Sequence, residues 1–281
     1  MRKTGRMRNW PFAKGHGTHN DFVIINDRHG MYDPDSADVR FLCDRHGGIG
    51  GDGVLRVVRA RYVKDWDGDP DLWFMDYRNA DGSIAEMCGN GVRVFARYLV
   101  EEGLAMGESL PIATRAGLRT ARFVHQDQVA VEMGPVVVRD AGVKVELAGE
   151  RWPALSVDVG NPHAVVEVSD LSTLDFYFAP TWFPSEAFPE GVNVEFVRSV
   201  GPGHIAMRVF ERGVGETQSC GTGTVAAAAA AAQRDGTGIT HWRVDVPGGT
   251  VRVDLRPDGS TLTGPAVIVA RGEVFLPNQF D

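Results

Sequence analysis

Val225 is followed by an unbroken run of alanine, Ala226–Ala232, with Gly236 just beyond it. Alanine is the strongest helix former, and glycine commonly stands just past a helix end. A helix that is apolar all round has no wet face, so it is buried on every side. Its small side chains also let neighbouring backbone come close. The run therefore predicts a central helix with strands wrapped around it.

Cys220-Gly-Thr-Gly223 opens that helix, after a predicted strand Met207–Glu211 and a polar turn Gly213–Ser219. The same plan occurs earlier. Trp73–Tyr77 reads as a strand, Asn79-Ala-Asp-Gly82 as its turn, and Cys88-Gly-Asn-Gly91 as the start of an amphipathic helix. That helix has Val92, Phe95 and Leu99 on one face, Arg93, Arg97 and Glu101 elsewhere, and Gly103 as its stop. Asp21–Asn26, Leu155–Val159 and His163–Val168 add β-branched runs that read as strands. Gly160-Asn-Pro162 separates the last two.

The cysteines of the two motifs stand 132 residues apart (220 − 88), which is a domain's length and too long for a solenoid repeat. A chain of 281 residues suits two modest domains or one large one, and the repeated plan favours two. Strand, polar turn, Cys-Gly-x-Gly and helix occurring twice predict two domains built on one pattern. Residues 1–132 with the tail 270–281 would form the domain carrying Cys88, and 133–269 the domain carrying Cys220. The divide lies near Glu132–Pro135, and the strand-rich tail Ala266–Phe275 would return to the first domain.

Charge and cysteine content narrow the function. A net charge of −8 without any Lys/Arg-rich run argues against nucleic acid as a partner. No apolar run has the length of a membrane span. Arg2, Lys3, Arg6 and Arg8 make the start of the chain basic, but no apolar segment follows, so residues 1–9 read as a short disordered extension rather than a secretory signal. Three cysteines, Cys43, Cys88 and Cys220, are no disulfide framework and fit a reducing cytoplasm.

A cysteine at a helix start sees the positive end of the helix dipole and first-turn N–H groups, both of which favour thiolate. The N–H groups of Gly89, Asn90, Gly221 and Thr222 would also form two anion sites. Two such ends on one carboxylate would hold an amino acid between two sulfurs. Inverting its Cα needs a base on one face and an acid on the other, and a thiolate–thiol pair provides both. The developing carbanion would need fixed donors in a dry site. The plainer reading treats a buried cysteine as a small hydrophobe; it suits Cys43, in the helix-like Leu42-Cys-Asp-Arg45. His16 with His19, and Cys43 with His46, have no convincing third and fourth ligand, so no metal site is expected.

Six motifs occur in order from Phe12 to about Ala270. They are Lys14-Gly-His-Gly-Thr-His-Asn-Asp-Phe22; Asp44-Arg-His-Gly-Gly-Ile-Gly50 with Asp52-Gly53; Arg78-Asn-Ala-Asp-Gly-Ser83 leading to Met87-Cys-Gly-Asn-Gly91; Val159-Gly-Asn-Pro-His-Ala164; Gly191-Val-Asn-Val194; and Phe210-Glu-Arg-Gly-Val-Gly-Glu-Thr-Gln-Ser-Cys-Gly-Thr-Gly223. Together they resemble the diaminopimelate epimerase family.

The resemblance implies interconversion of LL- and meso-2,6-diaminopimelate, in the route to lysine and cell wall, without pyridoxal phosphate or metal. It implies an α/β (α+β) fold of two pseudo-symmetric domains, each a mixed, mostly antiparallel sheet around a central helix. It also implies a site in the cleft between them, a cytoplasmic homodimer, and Cys88 and Cys220 as acid and base. His163 and Glu211 would tune the thiols, since imidazolium favours thiolate and carboxylate opposes it. Asn20, Asn79, Asn161 and Asn193 would bind the distal amino and carboxylate groups of the substrate, with Arg212 as a carboxylate clamp. Glu211 would also accept from the substrate ammonium, and the N–H groups of Gly89, Asn90, Gly221 and Thr222 would hold the reacting carboxylate.

Two positions depart from the family pattern. His19 stands where many members have Gly, which implies a changed turn. Gly53 stands where many have a polar residue, which removes one distal contact. A racemase of proline or hydroxyproline shares the implied fold, but usually carries His at the position of Asn90. A binding protein or thiol redox sensor using Cys88 and Cys220 is the non-catalytic alternative. In either case a pair facing one small ligand could be joined by oxidation in a disulfide, which in an epimerase would abolish activity until reduced.

Overall fold

A computed structural model describes residues 8–125 and 127–277. The expected extension at residues 1–9 falls mostly on 1–7, outside the described residues; Arg8 and Asn9 already belong to the first strand. The chain divides into two compact units. The first takes in residues 8–17, 21–125, 127–129 and 266–277, and the second 18–20 and 130–265. The expected limits were 1–132 with 270–281, and 133–269. Residues 18–20 were not expected to leave the first unit.

The first unit begins with β1 (Arg8–Gly17), β2 (Asn20–Asn26) and α1 (Ser36–Cys43), then β3 (Gly53–Arg59) and β4 (Trp73–Asn79). Helix α2 (Gly89–Glu101) carries the chain over to β5 (Ser109–Thr114), and β6 (Gly117–Phe123) turns back. β2 and β3 run parallel, β3 and β4 antiparallel, β4 and β5 parallel, β5 and β6 antiparallel. α2 packs against β1, β3, β4, β5 and β6. Outside this layer, α1 is capped by the Asp35–Asp38 capping box. It lays Val39, Leu42 and Cys43 on Trp10, Val23 and Ile25.

β7 (Gln128–Gly134) begins in the first unit and ends in the second, which continues through β8 (Val137–Arg139), β9 (Lys144–Leu147), β10 (Glu150–Asp158), β11 (Pro162–Glu167) and β12 (Thr181–Phe183). Then come β13 (Asn193–Gly201), β14 (His204–Glu211), β15 (Gly215–Thr217), α3 (Gly221–Asp235), β16 (His241–Val246), β17 (Gly249–Arg256) and β18 (Gly259–Pro265). β11 and β13 run parallel, β13 and β14 antiparallel, β14 and β16 parallel, β16 and β17 antiparallel. This is the order of the first unit again, with the crossover helix in the same place. The predicted duplication is therefore present in the hydrogen-bond ladders. β15 corrects one expectation: part of the polar turn Gly213–Ser219 pairs with β14 as a short strand.

β19 (Val267–Leu276) closes the first unit, pairing along β1, as expected for the tail. α3 packs against β10, β11, β13, β14, β16, β17 and β18, and Gly223–Ala230 are buried. Gly236 ends it in the left-handed region, φ 63°. α2 departs from its predicted amphipathic pattern. Arg93, expected away from the apolar face, is fully buried, because strands surround this helix as well.

Candidate active site

Cys88 and Cys220 occupy the same position in their units. Each is the extended N-cap of the crossover helix, and each sulfur accepts the third helical N–H, from Gly91 and Gly223, at 3.4 Å. Gly89 and Asn90, and Gly221 and Thr222, form the first turns, where the helix itself supplies no acceptor. Their surroundings differ. Cys88 is partly exposed, whereas Cys220 is buried.

Cys220 has been taken further from solvent than helix-end chemistry suggests. Burial pushes its thiol pKa well up, Glu211 and Glu195 push it further, and the Gly223 N–H and Thr222 hydroxyl only partly oppose them. The expected lowering at a helix start is outweighed there. Cys43, at the end of α1, is likewise pushed up, to about 12, chiefly by burial.

His163 and Asn193 face each other across the parallel pair β11–β13, and both are buried. His163 Nδ1 contacts Glu195 Oε1 at 2.7 Å and Nε2 contacts Asn161 Oδ1 at 3.0 Å. Asn193 donates to the Pro162 carbonyl and accepts from the Arg212 N–H at 3.0 Å, tying the start of β11 to the end of β14. Glu211, at that end, accepts from Thr217. The Arg212 side chain lies exposed over Gly191, where a Cβ would meet Arg212 Cδ at 2.8 Å, and donates to the Glu190 carbonyl. Thus His163, Asn161, Asn193, Glu211 and Arg212 gather in the second unit with Cys220.

Asn20 belongs with residues 18–20 in the second unit. Thr18 Oγ1 is 2.8 Å from Ser219 Oγ, one residue before Cys220. His19 has φ 62°, a left-handed conformation in which glycine is unstrained, so the departure at this position does sit in a special turn. Asn79 ends β4 in the first unit, where its Nδ2 donates to Ser83 Oγ at 3.0 Å and its carbonyl accepts from Gly82. Gly53 pairs with Asn79, and a Cβ there would stand 2.6 Å from the Arg78 carbonyl oxygen. No group of three or more His, Cys, Asp or Glu suited to a metal occurs among the described residues.

Two charged groups were missed by sequence reasoning. Glu195 lies two residues beyond Asn193 on β13, so the strand alternation places both on one face; that spacing was the available signal. Arg93 sits one turn into α2, off the predicted apolar face yet fully buried, whereas Arg97 and Glu101 further along the helix keep some exposure.

The family model described as diaminopimelate epimerase matches residues 12–139 and 155–275. The chain belongs to the diaminopimelate epimerase family. It is 52% identical to the diaminopimelate epimerase of Streptomyces coelicolor, over 93% of this chain and 94% of that one. It is 51% identical to that of Corynebacterium glutamicum, over 94% and 98%. Among solved structures, a Bacillus anthracis phenazine biosynthesis protein of the PhzF family matches with TM-score 0.72 at 18% identity, covering 96% of this chain and all of that one. A hydroxyproline epimerase from Agrobacterium vitis matches with TM-score 0.70 at 19% identity, over 99% and 95%. These two likenesses show the two-unit α/β fold.

Proposed function

We propose that this chain is a diaminopimelate epimerase, an isomerase of lysine biosynthesis that interconverts the LL and meso forms, with Cys88 and Cys220 as exchangeable base and acid. The observation that carries the mechanism is the equivalent placement of the two sulfurs at crossover-helix N-caps within a duplicated topology. Half-identical epimerases along nearly the whole chain support the substrate.

One thiolate removes the Cα proton while the thiol delivers its own proton to the opposite face. The sulfurs exchange protonation states, so the reverse direction uses the same pair. First-turn N–H groups of Gly89, Asn90, Gly221 and Thr222 hold the reacting carboxylate where the dipoles stabilise developing negative charge. Glu211 receives the substrate ammonium. Asn20, Asn79, Asn161, Asn193 and Arg212 take the distal groups, with no pyridoxal phosphate or metal in the reaction. The working form is a cytoplasmic homodimer.

The test is proton exchange in deuterated water. LL-diaminopimelate should gain deuterium at one α carbon and convert to the meso form, and Cys88→Ser and Cys220→Ser should each lose at least about 100-fold in epimerisation. Exchange at L-proline or hydroxyproline alone would replace this reading with that of a cyclic imino-acid racemase. Wild-type rates in both serine variants would exclude the two-cysteine mechanism.

A further inference from the structure

The helix dipole acts alike on both cysteines, so it cannot decide which one is the base at rest. The side chains around them can. In the matching ladders, Phe22 pairs with Gly53 as His163 pairs with Asn193. Two residues farther along each second strand come Leu55 and Glu195. The correspondence is physical: a Cβ built on Gly91 would meet Leu55 Cδ2 at 3.3 Å, and one built on Gly223 would meet Glu195 Oε1 at 2.5 Å. Five residues after each cysteine the helices carry Arg93 and Val225. The first unit thus has Leu55 and Arg93 where the second has Glu195 and Val225, and all four side chains are fully buried.

Helical side chains lean toward the N-terminus, over the residues three and four positions earlier. For Arg93 those are Asn90 and Gly89, beside Cys88. A charge on Cys88 favours the protonated Arg93, which burial otherwise disfavours. Linkage is reciprocal, so the guanidinium favours the thiolate equally. In the second unit Glu195 and Glu211 both oppose a Cys220 thiolate. Glu195 Oε1 is held by His163 at 2.7 Å, while its Oε2 is buried with no hydrogen-bond partner among the described residues.

We infer that the thiols are poled before substrate arrives: Arg93 makes Cys88 the resting thiolate, and Glu195 with Glu211 keeps Cys220 the resting thiol. This rests on the reading of the two cysteines as an acid–base pair. After one inversion from the resting form, Cys88 carries the proton taken from Cα and Cys220 has given its own away. The resting enzyme returns when one proton moves from Cys88 to Cys220. Arg93 and Glu195 are positioning residues, acting through the sulfurs.

Other charges on the surrounding strands are mostly engaged elsewhere. Around α2, Lys14 is tied to Asp21, Arg56 and Arg78 to Asp76, and Arg271 to Glu101 and Glu102 at the far end of the helix. His16 on β1 and Arg119 on β6 are half-buried on the same elements. Around α3, His163 faces Glu195, Asp254 is paired with Arg252 and His241, and Glu167 meets Arg234 near the C-terminal end.

The experiment is a substrate-free titration of thiolate ultraviolet absorbance in the full chain. Cys43→Ala/Cys220→Ser leaves Cys88, and Cys43→Ala/Cys88→Ser leaves Cys220. Cys88 should ionise at least about two pH units below Cys220. Adding Arg93→Met should raise the Cys88 midpoint by roughly one to three units, Arg93→Lys should restore it, and Glu195→Gln should lower that of Cys220. Cys220 ionising at the lower pH would overturn the assignment, as would a folded Arg93→Met chain with an unmoved Cys88 midpoint. If Arg93→Met fails to fold, the midpoints of the two single-cysteine chains decide. Because no substrate is present, failure here is separate from failure of the exchange experiment, which alone judges the acid–base pair.

Discussion

His163 Nδ1 lies 2.7 Å from Glu195 Oε1, with neither side chain exposed to solvent. A buried imidazole left without that oxygen would carry an unsatisfied polar group, at a cost of about 1–3 kcal/mol. Glu195→Ala should therefore lower unfolding free energy by about that amount, and Glu195→Gln, which keeps an oxygen at the same reach, by less. Urea unfolding measures both. Equal losses in the two variants would mean that the hydrogen bond to His163 is not what stabilises the site.

Gly223 and Gly91 stand at the same step of their helices but have different neighbours. A methyl at Gly223 would be driven into Glu195 Oε1 at 2.5 Å, whereas at Gly91 it would meet Leu55 at 3.3 Å and the Cys88 Cβ at 3.4 Å. Gly223→Ala should cost about 1–3 kcal/mol through overpacking against a side chain already held by His163. Gly91→Ala should cost clearly less. Thermal melts of the two variants give the comparison, and similar melting temperatures would contradict the close approach of Glu195 to α3.

Arg212 presents an exposed guanidinium anchored by one bond to the Glu190 carbonyl. If it clamps a substrate carboxylate with two parallel bonds, lysine keeps the charge but loses the fork. Arg212→Lys should raise KM for diaminopimelate about tenfold, ~1.4 kcal/mol, with a smaller change in kcat. Initial-rate kinetics decide this, and an unchanged KM would remove Arg212 from the substrate site.

The alanine run and the two Cys-Gly-x-Gly starts were readable because each follows from local preference: helix propensity, an all-apolar helix surface, and glycine at the turns. β15 was not, since Gly215–Thr217 is polar and becomes a strand only because the edge of β14 is there to pair with it. Periodicity does not show the burial of Arg93, because the strands enclose the first turns of α2 on every side and leave exposure only further along, at Arg97 and Glu101. The grouping of residues 18–20 with the second unit is not legible locally, because Ser219, which Thr18 contacts, is 201 residues away in sequence. The asparagines stood out as motif residues, yet their motifs say nothing of internal bonds such as those from Asn193 to Pro162 and Arg212.

Cys43 makes stability depend on pH in a direction opposite to that of a paired carboxylate. Its thiol is pushed from an ordinary 9.0 to about 12 by burial against Trp10, Val23 and Leu42, so the folded chain holds this proton longer than the unfolded chain does. The contribution is complete below the unfolded value and declines as pH rises between 9.0 and about 12, by ~1.4 kcal/mol per pH unit. Cys220 shifts in the same direction and adds to the decline. Cys43→Ala removes one of the two titrations while also losing some packing, so the slope is the quantity to compare rather than the absolute stability. Urea unfolding from pH 7 to pH 10 should show wild type losing stability more steeply than Cys43→Ala, with the curves closing by about 1–2 kcal/mol at the alkaline end. Parallel curves would mean that the thiol ionises without opening the contact between α1 and the strands beneath it.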